Sequence, residues 1–403
     1  MAGPLDGILI LDWTIWQQGP VATAMLADLG ADVIKIEERE SGDPGRGLMK
    51  LYGTGMGWQG RNFYFETNNR NKRSIALDLR HERASEIIGR LVSKADVFVQ
   101  NFRKGVAARL GLDYDTLSRY NPHLIYATAS GYGPHGPESD QPCFDLAAQA
   151  RSGLMYASLE PDVTPQRFGG AIADQIGAIM LAYGILTALL ARERLGVGQE
   201  VDASQLGSLV ALQGLNVAQM LAFGAEPSKQ ARAKAGNPLS NHYKCADDKW
   251  ITPTMLQSDR YWPSFCQALG IEGLVKDSRF DDGDQRARNC EQLVGILDRI
   301  FLTRTSNQWI KALREKGCVV DAVNHIKDLA DDPQVTENGY IVDFNHPVVG
   351  WTKQVGIPIT LSKTPGSIRQ EAPEHGQHTE EVLIEIAGYD WPDIVELKDL
   401  HVI

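Results

Sequence analysis

The 403 residues predict an α/β protein with a doubly wound, largely parallel sheet and a second, smaller α+β domain. Two observations carry this. Through the first half, short runs that are apolar at nearly every position alternate with helix-like runs, as a parallel sheet covered on both faces requires. Near residue 225 the texture then changes to the polar, breaker-rich EPSKQARAKAGNPLSN, which reads as a linker. A chain this long also exceeds one comfortable core, so two domains are the default.

Taken in order, the apolar stretches predict strands at 8–11, 32–36, 74–79, 96–99 and 124–129. Helical spacing falls between them at 21–29 and 82–93, and two long helices follow over 174–192 and 204–223. Beyond the linker, HYKCADDKWITPT reads as a hairpin, with helices around 262–269 and 289–302. The tail from Trp351 holds a strand, a turn at Thr364-Pro365-Gly366 and a helix beginning near His378. These readings divide the chain into 1–224 (large domain), 225–330 (small domain with linkers) and 331–403 (return to the large domain).

The formal charge of −11 argues against a long polyanion as partner, so no nucleic acid is expected. A small anion needs only a local basic pocket. The five cysteines are scattered and form no Cys-x-x-Cys pair, which predicts a reducing, cytoplasmic setting without disulfides or zinc. MAGPLDGILILDWT has no basic residue before its apolar stretch and reads as a strand rather than a signal peptide. The longest uncharged run, 175–191, falls short of the roughly 20 residues of a membrane span, so a buried helix and no membrane association are expected.

Asp174 is the single charge in FGGAIADQIGAIMLAYGILTALLA, residues 168–191. One reading is helix capping, where a carboxylate accepts from first-turn amides and meets the positive end of the dipole. The first strand-turn-helix, LILDWTIWQQGPVATAMLADLGADVIKIE, has the outline of a dinucleotide-binding unit but keeps only Gly19 of the glycine turn, which argues against NAD or FAD. Gln17 and Gln18 stand there instead, either exposed in a loop or facing the crevice where such sheets bind ligands.

Several stretches together, QQGP, GADVIKIE, SGDPGRG, NRNKRSIALDL, ADVFVQNFRKGVAARLGL, FDLAAQARSGLM and TPGSIRQEAPEHGQHTEEVL, resemble the class III CoA-transferases, a group that also holds α-methylacyl-CoA racemases. The resemblance spans about residues 5–224 and 350–385. It implies a Rossmann-like large domain built from both chain ends, and a homodimer of interlocked chains or a hetero-oligomer with a paralogue. It also implies transfer of CoA between two carboxylic acids, with coenzyme A entering as acyl-CoA, succinyl-CoA as a candidate donor, and no metal. Asp174 matches the family's nucleophile, which forms a mixed anhydride and then an aspartyl-CoA thioester. The helix dipole and an apolar surrounding are expected to keep it ionised and dry. Gly169 and Gly170 would admit the substrate closely.

Gln17 matches the position contacting the thioester, with Gln18 beside it. Asn101, Phe102, Arg103 and Arg109, and the stretch Leu77 to Arg80, match CoA-contacting positions. Lys72 and Arg73 stay open between CoA contact and a solvated charged face. Asp145 matches an acid beside the nucleophile, able to position a carboxyl or perturb Asp174 through like charge, or equally to cap its own helix. His375 and His378 superficially resemble a metal pair but lack a third ligand. Racemases carry a His where Phe144 stands here, which removes a proton-transferring group from the isomerase alternative. The formate/oxalate enzyme's glycine run is missing around 236–255, and Glu38 replaces an arginine. Trp13 and Trp16 flank the predicted pocket and hint at a bulkier acid. SGDPGRG reads as a lid or as a plain loop.

Overall fold

The computed structural model describes residues 3–51, 53–158, 160–161, 163–226 and 228–403. The chain forms two compact units: Met1–Met155, Arg167–Ala218 and Thr336–Ile403 make the first, and Tyr156–Gln166 with Gln219–Val335 the second. Placing 156–166 in the second unit departs from the boundaries read above. That stretch is polar and carries no hydrophobic period to tie it to either core.

The first unit is organised by six parallel strands: β1 (Leu9–Trp13), β2 (Asp32–Glu38), β3 (Lys72–Leu77), β4 (Val97–Gln100), β5 (Ile125–Thr128) and β6 (Gln199–Asp202). Their order across the sheet is β6-β5-β4-β1-β2-β3. Ile10 sits between Val33 and Val97 in register, and Val97 pairs with Ile125. The chain winds outward from β1 in one direction and from β4 in the other. The C-terminal ends of β1 and β4 therefore frame the crevice where open α/β sheets bind ligands.

Alternation along each strand explains why the strands read as continuously apolar. Leu11, Ile34 and Phe98 face one layer, with Ile87, Leu91, Val382 and Leu397. Ile10, Val33 and Val97 face the other, with Leu26, Leu181 and Ile185. The helices α1 (Gln18–Asp28) and α4 (Ile172–Leu195) cover the second face, and α2 (Ala84–Val92) with two C-terminal helices covers the first; between α2 and α4 lies α3 (Asp145–Arg151). α4 runs 24 residues, longer than the uncharged stretch alone suggested, and is long and apolar enough to cross a membrane by length and composition. Here its inner side, including Ala178, Leu181 and Ile185, is buried in the core.

The helix read over 204–223 is two: α5 (Gln205–Leu212) and α6 (Gly214–Phe223), bent by 74°. The strand at 351 pairs with Ile341–His346 as a hairpin, and Trp391–Asp399 adds a final helix. The second unit holds the predicted hairpin, Tyr243–Lys244 against Trp250–Pro253, extended by Val320–Val323. Its core gathers Tyr243, Trp262, Phe265, Phe301 and Trp309. All five cysteines are free.

Candidate active site

The crevice begins with the turn after β1. Asn101 fastens Ile15 from both sides: its Oδ1 accepts from the Ile15 N–H at 2.9 Å, and its Nδ2 donates to the Ile15 carbonyl at 2.6 Å. Trp16 follows at φ +67°, a left-handed conformation uncommon for a side chain of that bulk. Its N–H donates to Asp43 Oδ1 at 3.2 Å, while Asp43 Oδ2 pairs with the fully buried Lys35 at 2.8 Å. Asp43 also caps the short turn Pro44–Gly47, and Arg46 there bonds both oxygens of Glu37. In SGDPGRG, Asp43 and Arg46 are thus tied to the sheet by buried charge, and the segment forms a wall of the site.

Between that wall and the ends of the strands lies a cavity of about 270 Å³ lined by Trp13, Leu77, Leu79, Phe102, Val106 and Leu110, with Arg80 at its edge. Trp13 stacks on Phe102 with ring centroids 4.2 Å apart. Trp13 is therefore a buried wall of this cavity, and Trp16 sits edge-on to Phe144.

Asp174 lies in the first turn of α4. The chain enters that helix through two left-handed residues, Gly170 at φ +77° and Ala171 at φ +51°. Asp174 does not cap the helix. Asp145 does: its Oδ1 accepts from the Ala173 N–H at 2.6 Å, and its Oδ2 accepts from Gln149 Nε2 at 2.7 Å. Asp145 makes no side-chain cap to its own helix α3 either, so both capping expectations are replaced by a cap that crosses between helices. The Asp174 carboxylate, half-buried, receives Gln205 Nε2 on Oδ1 at 2.5 Å.

Burial, and next the like charge of Asp145, push the Asp174 pKa up to about 7, against the pull of Gln205. The helix dipole does not keep it ionised, contrary to what its place in the first turn leads one to expect. That positive end is already met by the Asp145 carboxylate, which leaves little for Asp174.

α1 closes the arrangement. Gln18 Nε2 donates to the Ala203 carbonyl at 2.9 Å, and a Cβ on Gly177 would stand 2.7 Å from the same nitrogen. Gly177 is one turn beyond Asp174, so the glutamine turn, the start of α4 and the approach to Gln205 meet. A half-buried carboxyl with a pKa near 7, beside a side-chain amide, suits nucleophilic acyl chemistry. The family model for CoA-transferase family III matches residues 5–379.

The chain belongs to CoA-transferase family III.

This transferase is 32% identical over 388 residues to succinyl-CoA:glutarate CoA-transferase of Mus musculus, covering 96% of this chain and 87% of that protein. It is 35% identical over 364 residues to acetyl-CoA:oxalate CoA-transferase of Acetobacter aceti, covering 89% and 90%. Among solved structures, a CAIB/BAIF family protein from Brucella suis matches with a TM-score of 0.83 at 28% identity, covering 96% of this chain and all of that one. The protein is a CoA-transferase, an enzyme class whose substrates are CoA thioesters.

The structure brings Leu77, Arg80 and Phe102 to the transferase's cavity and sets Asn101 behind it as the clamp on Ile15. Arg103 and Arg109 are exposed. Gln17 is buried at the start of α1 and its side chain makes no cap bond there. Three of these side chains are engaged elsewhere in the fold. Lys72 is fully buried, with Nζ on Asp12 Oδ2, the Pro20 carbonyl and Asn69 Oδ1 at 2.8–2.9 Å, so its three protons are all taken. Arg73 is held by Asp32, Glu381 and Glu385 at the sheet edge. Gln18 Nε2 is engaged on the Ala203 carbonyl. His375 and His378 bond main-chain groups of Glu38 and Ser74, and no cluster of three metal-ligating side chains occurs among the described residues. The sequence reading missed Gln205, Asp43 and Lys35. The last carried a signal, since a lysine between isoleucines in VIKIE must find a buried partner.

A pH prediction arises here. With the Asp174 pKa near 7, transfer at pH 6 should run at about a tenth of its rate at pH 8. Asp145→Asn keeps an oxygen for the Ala173 N–H but removes the like charge, so the acid limb of the kcat/KM profile should move to lower pH. An unmoved limb would show that Asp145 does not tune the nucleophile.

Proposed function

We propose that the transferase moves CoA from a donor acyl-CoA to an acceptor carboxylate through covalent intermediates on Asp174, with succinyl-CoA as donor. The observation that carries this is the Asp174 carboxylate itself. It is half-buried, relieved of capping by Asp145 and approached by one amide. An Asp174 oxygen attacks the thioester carbonyl and expels CoA thiolate, giving a mixed anhydride. The thiolate then attacks the aspartyl carbonyl carbon and releases the donor acid, leaving aspartyl-CoA. The acceptor carboxylate reverses these two steps and departs as its own thioester. Partial burial protects the anhydride from water, and Gln17 supports the oxyanion on the substrate carbonyl. The succinyl donor is supported by the mouse relative's named reaction.

CoA's adenosine end fits the cavity lined by Leu77, Leu79 and Phe102, and Arg80, Arg103 and Arg109 are the cations for its phosphates. Arg103→Ala and Arg109→Ala should each raise KM for acyl-CoA about 5- to 10-fold while leaving kcat nearly unchanged. Loss of kcat with KM intact would remove them from the phosphate site. A second copy of the chain is supported by α6, which buries no side chain of its own and leaves Leu215, Leu221 and Phe223 at least 74% exposed. The protein should therefore sediment at twice its 44.4 kDa.

The direct experiment is intact-protein mass spectrometry after mixing with succinyl-CoA and other acyl-CoAs. A CoA adduct that maps to Asp174 is the expected result. Turnover with no adduct under rapid quench would defeat the covalent route.

A further inference from the structure

We propose that Gln205 is the oxyanion donor for the half of the reaction centred on Asp174's own carbonyl carbon. The inference rests on the covalent route above and deepens it. That route passes four tetrahedral centres. Two lie on substrate carbonyls, where the negative charge grows on a substrate oxygen. The other two lie on Cγ of Asp174, first when thiolate opens the anhydride and again when the acceptor carboxylate opens the thioester. There the charge grows on an oxygen of Asp174 itself, and a donor placed for the substrate carbonyl does not serve it.

Gln205 meets that need. Its Nε2 stands 2.5 Å from Asp174 Oδ1, and among the described residues no other donor reaches this carboxylate. The side chain is 4% exposed, and its backbone N–H is anchored on the Ser130 carbonyl at 3.0 Å, at the start of a helix capped by Ser204. Its Oε1 is buried without a partner. A buried amide oxygen left unbonded is costly, and such a group marks function more than stability. With Oε1 unclaimed, the bond to Asp174 alone orients the amide.

The atoms follow from this. Oδ2 attacks the donor carbonyl and becomes the bridging oxygen of the anhydride, and Oδ1 remains the carbonyl oxygen under Gln205. Thiolate attack on Cγ places the electron pair on Oδ1. Its collapse breaks the Cγ–Oδ2 bond, and the donor acid leaves with Oδ2. The acceptor oxygen adds to the same carbon, the charge again rests on Oδ1, and thiolate departs. After the acyl group has passed back to the thiolate, Asp174 holds its original Oδ1 and one oxygen from the acceptor. Gln205 both stabilises the charge and fixes which oxygen is kept.

Two measurements test this. Gln205→Leu and Gln205→Asn remove the amide or withdraw it by a methylene. In rapid-quench reactions with succinyl-CoA, both should release free thiol at a rate within about 3-fold of wild type and form aspartyl-CoA about 10²- to 10³-fold more slowly. The succinyl anhydride then becomes the trapped mass. Thioester formation at the wild-type rate, or a defect confined to thiol release, would overturn the assignment. The second measurement needs no variant. After many turnovers of wild type with succinate labelled with ¹⁸O at all of its carboxylate oxygens, the peptide holding Asp174 should carry one labelled oxygen, and two would refute a fixed Oδ1. Wild type that forms no covalent adduct fails the underlying route instead, and is told apart from a Gln205 failure by that absence.

Discussion

Asp174→Ala is expected to lower CoA transfer at least ~10⁴-fold and to abolish the covalent adduct, because no other carboxylate can take its place as nucleophile. Asp145 is the nearest acid, and both its oxygens are bonded to Ala173 and Gln149. The same variant should be more stable than wild type in alkaline buffer. Asp174 has a folded pKa of about 7 against an ordinary 3.8, so the folded state holds its proton more tightly than the unfolded chain does. Its contribution is fully present below pH 4 and is lost as pH rises through 7. At pH 8 the gain on removing it is at most ~4 kcal/mol, and at pH 4 the gain disappears. Urea titrations at the two pH values check this, together with a steady-state assay. Transfer retained in the variant, or a stability change of the opposite sign, would contradict it.

Lys72→Met carries the largest expected stability loss. Asp12 and Lys72 are both fully buried, and the carboxylate also accepts from Thr14 and Thr23. Removing the ammonium leaves a buried charge with only Lys35 to answer it, a loss of about 3–5 kcal/mol. Replacing both partners, as Asp12→Leu with Lys72→Met, should recover much of that loss, because the desolvated charge is gone. Chemical denaturation of the single and double variants measures the coupling. A CoA contact at Lys72 would instead show as a raised KM in a variant of unchanged stability.

The course of the sheet was legible because strands buried on both faces are apolar at nearly every position, and five of the six were found that way. β6 escaped because Gln199–Asp202 is a four-residue edge strand with a single apolar residue, Val201, among Gln199, Glu200 and Asp202. Asp174 stood out through its motif, and Asp145 was recognised as its neighbour. Which helix a carboxylate caps is a tertiary fact, so the cap from Asp145 to α4 could not be read from spacing. Lys72 and Arg73 read equally as CoA contacts or as a solvated charged face, yet within a strand adjacent residues face opposite ways. One enters the core and the other meets the tail at the sheet's rim. Gln205 had no distinguishing signal beyond its place after a capping serine.

The clamp on the first turn limits how this crevice can recognise anything. In glycine-rich turns of similar sheets, main-chain amides hold a pyrophosphate directly. Here the Ile15 amide already serves Asn101 and the Trp16 amide already serves Asp43. Discrimination at this doorway is left to side chains, which single codon changes can exchange without redrawing the path of the chain. A scaffold arranged this way can switch from one metabolite to another while its main chain stays still.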